Sequence, residues 1–139
     1  MALPQIKHCL ICEDVRFESR NLISLMGVYG MTPYAGIQVV DLKLHVAFCL
    51  VFWGDPVDGQ ISIKLQLRSP DGKQVEAVTF PEINTQTYSH EFAMAFAFRV
   101  NALFPRADTY TVILSTGGAE FFKDAFLITQ AKAADNKPN

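Results

Sequence analysis

The sequence predicts an all-β protein: an antiparallel β-sandwich, immunoglobulin-like in architecture, with about eight or nine strands. Three observations carry this. Apolar residues recur at every second position in several short runs, turn formers punctuate the runs, and no segment shows a single helical apolar stripe. The segment Ser89–Val100 shows the pattern most sharply. Phe92, Met94, Phe96, Phe98 and Val100 share one parity, and Ala93, Ala95 and Ala97 share the other. On a helix with Ser89 as its N-cap, Phe92 and Phe96 would meet while Met94 and Phe98 pointed away, so the period of two is the better fit.

Taken in order, Ile6–Phe17 reads as a strand. Asn21–Gly30 reads as a second, which a glycine interrupts at a bulge. Thr32–Gly36 is a loop. Leu42–Trp53 is a strand with two apolar faces: Leu44, Val46, Phe48, Leu50 and Phe52 on one, His45, Ala47, Cys49, Val51 and Trp53 on the other. Gly54–Gly59 ends it with several turn formers. Gln60–Arg68 alternates cleanly, with Ile61, Ile63, Leu65 and Leu67 inward. Ser69-Pro-Asp-Gly72 has the signature of a type I turn, and Val75–Phe80 returns as its hairpin partner. Pro81–Thr87 is polar and reads as irregular.

The Phe92–Val100 strand ends near Asn101. Phe104–Tyr110 is a turn, Tyr110–Ser115 a strand, and Gly117-Gly118 joins it to a last strand, Glu120–Thr129. An apolar strand end, a turn and then a tyrosine opening the next strand matches the tyrosine corner of immunoglobulin-like sandwiches. Arg106 stands where an acidic residue is usual, and the Cys…Trp…Cys pattern of antibody domains is absent.

The length of 139 residues fits one domain, expected over residues 1–130, with a disordered tail over 131–139. Half the residues are hydrophobic and the net charge is −2, without a basic stripe, so no nucleic-acid partner is expected. The apolar run Val46–Trp53 is far shorter than the ~20 residues of a membrane-spanning helix, and the first residues lack the pattern of a secretory leader. No membrane partner is expected. Three cysteines, an odd number, fit a reducing cytoplasm.

Motifs of chemistry are sparse. Cys9-Leu-Ile-Cys12 is formally C-x-x-C, but on a strand residues three apart point to opposite faces, and two buried apolar thiols are expected. His8, His45 and His90 fall on different strands, with no i, i+2 ligand pair. Asp55 and Asp58, even with Glu13 and Asp14, lack the oxygen density that calcium requires. No nucleophile elbow, phosphate loop or H-E-x-x-H motif is present. No catalytic residue, cofactor or metal is therefore expected, and the chain reads as a non-enzyme.

Cys12-Glu-Asp-Val-Arg16 followed by Ser24-Leu-Met-Gly-Val-Tyr-Gly30 resembles the N-terminal signature of a family of uncharacterised bacterial domain-of-unknown-function proteins of similar length. The resemblance implies a small bacterial, cytoplasmic β-sandwich and brings no site residues with it.

The function expected from these features is a non-catalytic protein-interaction or assembly module, with a protein partner and with homo-oligomers in view. The two doubly apolar strands motivate it. Its expected interaction surface comprises Ala93, Ala95, Ala97, Ala47, Val51 and Trp53, with Tyr29 and Tyr34 at the strand ends. One alternative is a sandwich that binds a small molecule or carbohydrate through Trp53, Tyr29 or Tyr34. Another is an unrecognised hydrolase using Glu13, Asp14 or Cys49.

Overall fold

Alternating apolar residues organise the chain into ten strands in a computed structural model that describes residues 3–19, 22–57, 59–84, 89–90 and 93–131. Side chains are described for all of these except residues 80–84, 89–90, 93 and 94. The strands are β1 (Gln5–Phe17), β2 (Ile23–Met31), β3 (Gly36–Val39), β4 (Val46–Asp55), β5 (Gln60–Arg68), β6 (Gln74–Asn84), β7 (Ser89–His90), β8 (Ala93–Ala102), β9 (Asp108–Thr116) and β10 (Ala119–Gln130). They form two five-stranded sheets, ordered β2-β1-β4-β8-β7 and β3-β10-β9-β5-β6. The fold is a β-sandwich.

Its order is that of an immunoglobulin-like domain. β1-β4-β8-β7 corresponds to the A-B-E-D sheet, and β10-β9-β5-β6 to the G-F-C sheet with one further strand. β2 and β3 are additions inserted between the first two strands of that plan. All pairings are antiparallel except β3 with β10, which run parallel.

One core lies between the sheets. Phe48, Leu50 and Phe52 of β4 and Phe96, Phe98 and Val100 of β8 meet Ile63, Leu65 and Leu67 of β5, Val112 and Leu114 of β9, and Phe126 and Ile128 of β10. The rings interlock, with Phe52 and Phe96 stacked at 5.4 Å and Phe52 edge-on to Phe122 at 5.6 Å. Such offset and edge-to-face pairs add to what area burial alone supplies.

The tyrosine corner is present. The Tyr110 hydroxyl donates to the Arg106 carbonyl at 2.6 Å and accepts from the Arg106 amide at 3.3 Å. Both bonds use backbone, which frees the side chain at 106. That explains the arginine there, whose guanidinium instead pairs with Asp108 at 3.0 Å.

Several expected boundaries shift for physical reasons. The strand expected from Leu42 begins at Val46, because the Asp41 carboxylate accepts from the Lys43 amide and its carbonyl from the Leu44 amide, closing a turn. Leu44 is left exposed. Pro81–Asn84, expected to be irregular, continues β6. β6 lies at a sheet edge and its register against β5 slips between Ile61 and Ile63, so Pro81 costs no ladder bond that the sheet needs. β3 was not expected at all; four residues are too few to show a period. The Ser89–Val100 segment is a hairpin, β7 with β8, rather than one strand, and Phe92 lies outside the described residues. Asp58 and residues 132–139 of the expected tail lie outside them as well.

The expected bulge in the second strand is there. The β1–β2 register slips between Ile11 and Cys12, beside Tyr29. Nearby, Gly27 holds φ +66°, and a Cβ on it would collide with the Glu13 side chain that lies over it.

Candidate functional site

The outer face of the first sheet gathers the residues that the sequence marks as unusual. β4 and β8 are neighbours, so the apolar faces of both strands adjoin. Val51 stands between Leu10 of β1 and Ala97 of β8, Trp53 between His8 and Ala95, and Cys49 between Cys12 and Arg99. Ala47 stands opposite Asn101.

This face does not lie bare. Cys12, Val15, Cys49 and Val51 form a second, smaller core, against which Ile23 and Leu25 of β2, Trp53 and Ala97 pack. Val51 is 0 % exposed and Ala95 5 %, so neither offers area to a partner, and the expected surface is corrected at both. Ala97 and Trp53 are half-buried and Ala47 is exposed. The backbone of Ala93 pairs with His90, and its side chain lies outside the described set. The alanines have a steric logic. Ala95 directly faces Trp53 and Ala97 faces Val51, so small residues on β8 stand against large ones on β4.

Beside this small core the sheet opens. β1 pairs with β4 only as far as Cys12 opposite Cys49. Past that point Asp14–Phe17 pair with β2 alone, through Ile23–Met26. The result is a two-stranded tongue, a unit that is marginal by itself in water. Arg99 ties down its root. From β8 it reaches past Cys49 to form an ion pair with Asp14 and to donate to the Val15 carbonyl at 2.9 Å. The Arg99 hydrogen bond, reinforced by the Val15 amide, holds the Asp14 carboxyl below the usual carboxylate range. The Glu13-Asp14-x-Arg16 motif therefore finds its main cation in Arg99, some eighty residues away in sequence, at a distance no local pattern displays.

The tongue carries exposed Phe17 at 56 %, with Leu22 at 58 % at its tip, and Val28 at 52 % lies on β2 just before the strands part. The remaining strand-end aromatics part ways. Tyr29 packs against the main core, whereas Tyr34 is exposed in the turn that follows the cis peptide bond between Thr32 and Pro33. Tyr29 also borders a hollow of about 260 Å³ with Val40, Leu44 and Ala47. A furrow of about 410 Å³ crosses the second sheet, lined by polar side chains such as Lys64, Gln66 and Arg68.

The chemistry-bearing residues do not converge on one centre. Cys9 belongs to the main core and Cys12 to the outer one, so the C-x-x-C pair is split across the sheet. Asp55 lies at the far end of β4 from Glu13 and Asp14, within 4.0 Å of Lys7. Among the described residues, no three His, Cys, Asp or Glu side chains group as metal ligands. No family model matches this chain, and no curated protein matches it either.

Two features of the outer face are not visible in the sequence. One is that Cys12 and Cys49 are direct cross-strand partners. The other is Arg99, which reaches from β8 to pair with Asp14. Its signal is a lone cation among alanines and phenylalanines, a position that asks for a counter-charge.

Proposed function

We propose that the protein is a non-catalytic assembly module that associates with a second copy of itself along the β2 edge of the first sheet. The observation that carries this is β2 itself. It is a nine-residue edge strand, Ile-Ser-Leu-Met-Gly-Val-Tyr-Gly-Met, without a charged residue, and among the described residues no strand lies on its outer side. Edge strands present unpaired N–H and C=O groups, which an extended chain satisfies.

The other three edges are guarded. Among the described residues β7 has two residues and β3 four, while β6 carries Pro81. β2 also lies outside the immunoglobulin-like plan, so the sandwich does not need it to close. A second copy is the favoured occupant because antiparallel self-pairing of β2 sets only uncharged side chains opposite one another. Phe17, Leu22 and Val28 add exposed apolar side chains on this edge strand and beside it.

Size-exclusion chromatography with light scattering at tens of micromolar tests this. The mass of two chains is expected, and Phe17→Lys with Val28→Lys is expected to give single chains with unchanged far-UV circular dichroism. Both sites are exposed, so the fold should tolerate the change. A wild-type monomer, or a dimer indifferent to both lysines, would sink the proposal.

A further inference from the structure

The last residue pair before β1 leaves β4 is Cys12 opposite Cys49. Both side chains lie in the same small outer core, and both thiols are free. Directly opposed residues in an antiparallel pair have Cα atoms about 4.5–5.5 Å apart, inside the roughly 4.4–6.8 Å that a disulfide spans. Cys9 faces the other way, into the main core opposite Phe52, and is out of reach of either.

The parting of the strands gives access. A hollow of about 220 Å³ opens there, bordered by Glu13, Ala47, Cys49, Arg99 and Asn101. It is large enough for a small oxidant. Arg99 Nη1 lies 3.5 Å from Cys49 Sγ, where its charge favours the thiolate. Cys12 donates to the Asp14 carbonyl at 3.2 Å, and Cys49 leans on the Glu13 carbonyl at 3.9 Å.

We propose that Cys12 and Cys49 form a reversible cross-strand disulfide, with a small hydroperoxide as oxidant and a low-molecular-weight thiol as reductant. The Cys49 thiolate attacks one peroxide oxygen and the O–O bond breaks, giving a sulfenic acid and a hydroxide that takes up the thiol proton as water. Cys12 sulfur then attacks Cys49 Sγ, the S–O bond breaks, and the hydroxyl leaves with the Cys12 proton as a second water. Two thiols have lost one electron each, and the two peroxide oxygens have gained them. Two molecules of the low-molecular-weight thiol reverse the change: the first attacks the bridge to give a mixed disulfide, and the second displaces the protein thiol and leaves with the first as their own disulfide. Burial raises both thiols above their ordinary range, so the oxidation is slow at neutral pH and quickens as pH rises. Forming the bond also removes two S–H donors from the carbonyls of Glu13 and Asp14, at the root of the tongue.

The test treats the reduced full-length protein with hydrogen peroxide, then denatures it, alkylates it with iodoacetamide and measures intact mass. One alkylated cysteine per chain is expected in place of three, with all three restored by dithiothreitol. The tryptic peptide His8–Arg16 contains both Cys9 and Cys12. Fragment ions from that peptide, cross-linked to the one bearing Cys49, should place the bridge at Cys12. Cys9→Ala should keep the bridge and Cys12→Ala should abolish it. Three alkylatable thiols after peroxide, a bridge at Cys9, or a bridge between chains would each overturn the proposal. Should Cys12→Ala not fold, the fragment ions of the wild-type bridge still decide.

Discussion

The two outer faces of the sandwich solve the same problem in opposite ways. On the second sheet, Ser62, Lys64, Gln66 and Arg68 of β5 face water while Ile61, Ile63, Leu65 and Leu67 fill the core. On the first, Cys49 and Val51 of β4 point outward and are nonetheless buried, under side chains from β1, β2 and β4 itself. A half-solvated strand needs only one core, whereas a doubly apolar strand demands a second one. The extra strand β2 helps supply it, and in doing so leaves a new edge unprotected.

Introducing a charge separates the faces most strongly. Ala95→Glu places a carboxylate on the buried outer face of the first sheet and should cost about 3 kcal/mol or more, whereas Lys64→Glu on the second should stay within about 0.5 kcal/mol. Urea unfolding of both variants checks this. Equal costs would mean that the first sheet's outer face is as open to water as the second's.

The braces of the two sheets differ too. Tyr110→Phe removes the corner bond of the second sheet from a fully buried ring and should lower unfolding stability by about 1–2 kcal/mol. Arg99→Gln should leave global unfolding almost unchanged while amides of residues 14–17 and 23–26 exchange faster, since the clamp holds only the tongue. Hydrogen exchange resolved by residue would show this, and uniform acceleration across β4 would contradict it.

The smallest expected effect is on pH. Asp14 has its folded-state pKa lowered, so its contribution is complete above the ordinary carboxylate range and fades as pH falls through the lowered value. Tongue amides should therefore lose protection on acidification below about pH 4 in the wild type. In Arg99→Gln that acid-dependent loss should be reduced.

Much of the sandwich could be read from the chain because its signals are local. The period of two in Gln60–Arg68, the Ser69–Gly72 turn and the Tyr110 corner each lie within a dozen residues, and each sits where it was expected. What escaped is long-range. Whether Val51 was surface or core depended on Ile23 and Leu25 of β2 packing against its cluster, and Ala95 on Trp53 standing opposite it. The partner of Asp14 depended on Arg99, and the meeting of Cys12 with Cys49 depended on register between strands far apart in sequence. Short length hid β3, and an edge position let Pro81 remain in a strand that its presence argued against.

β3 has a consequence for how the molecule comes to exist. Among the described residues, residues 36–39 pair with residues 127–130 alone. A growing polypeptide can assemble β1, β2 and β4 early, yet β3 waits without a neighbour until β10 emerges. Contacts this distant in sequence slow folding. Synthesis thus carries an unfinished edge until β10 emerges, and a chain broken off before Leu127 would keep it for good.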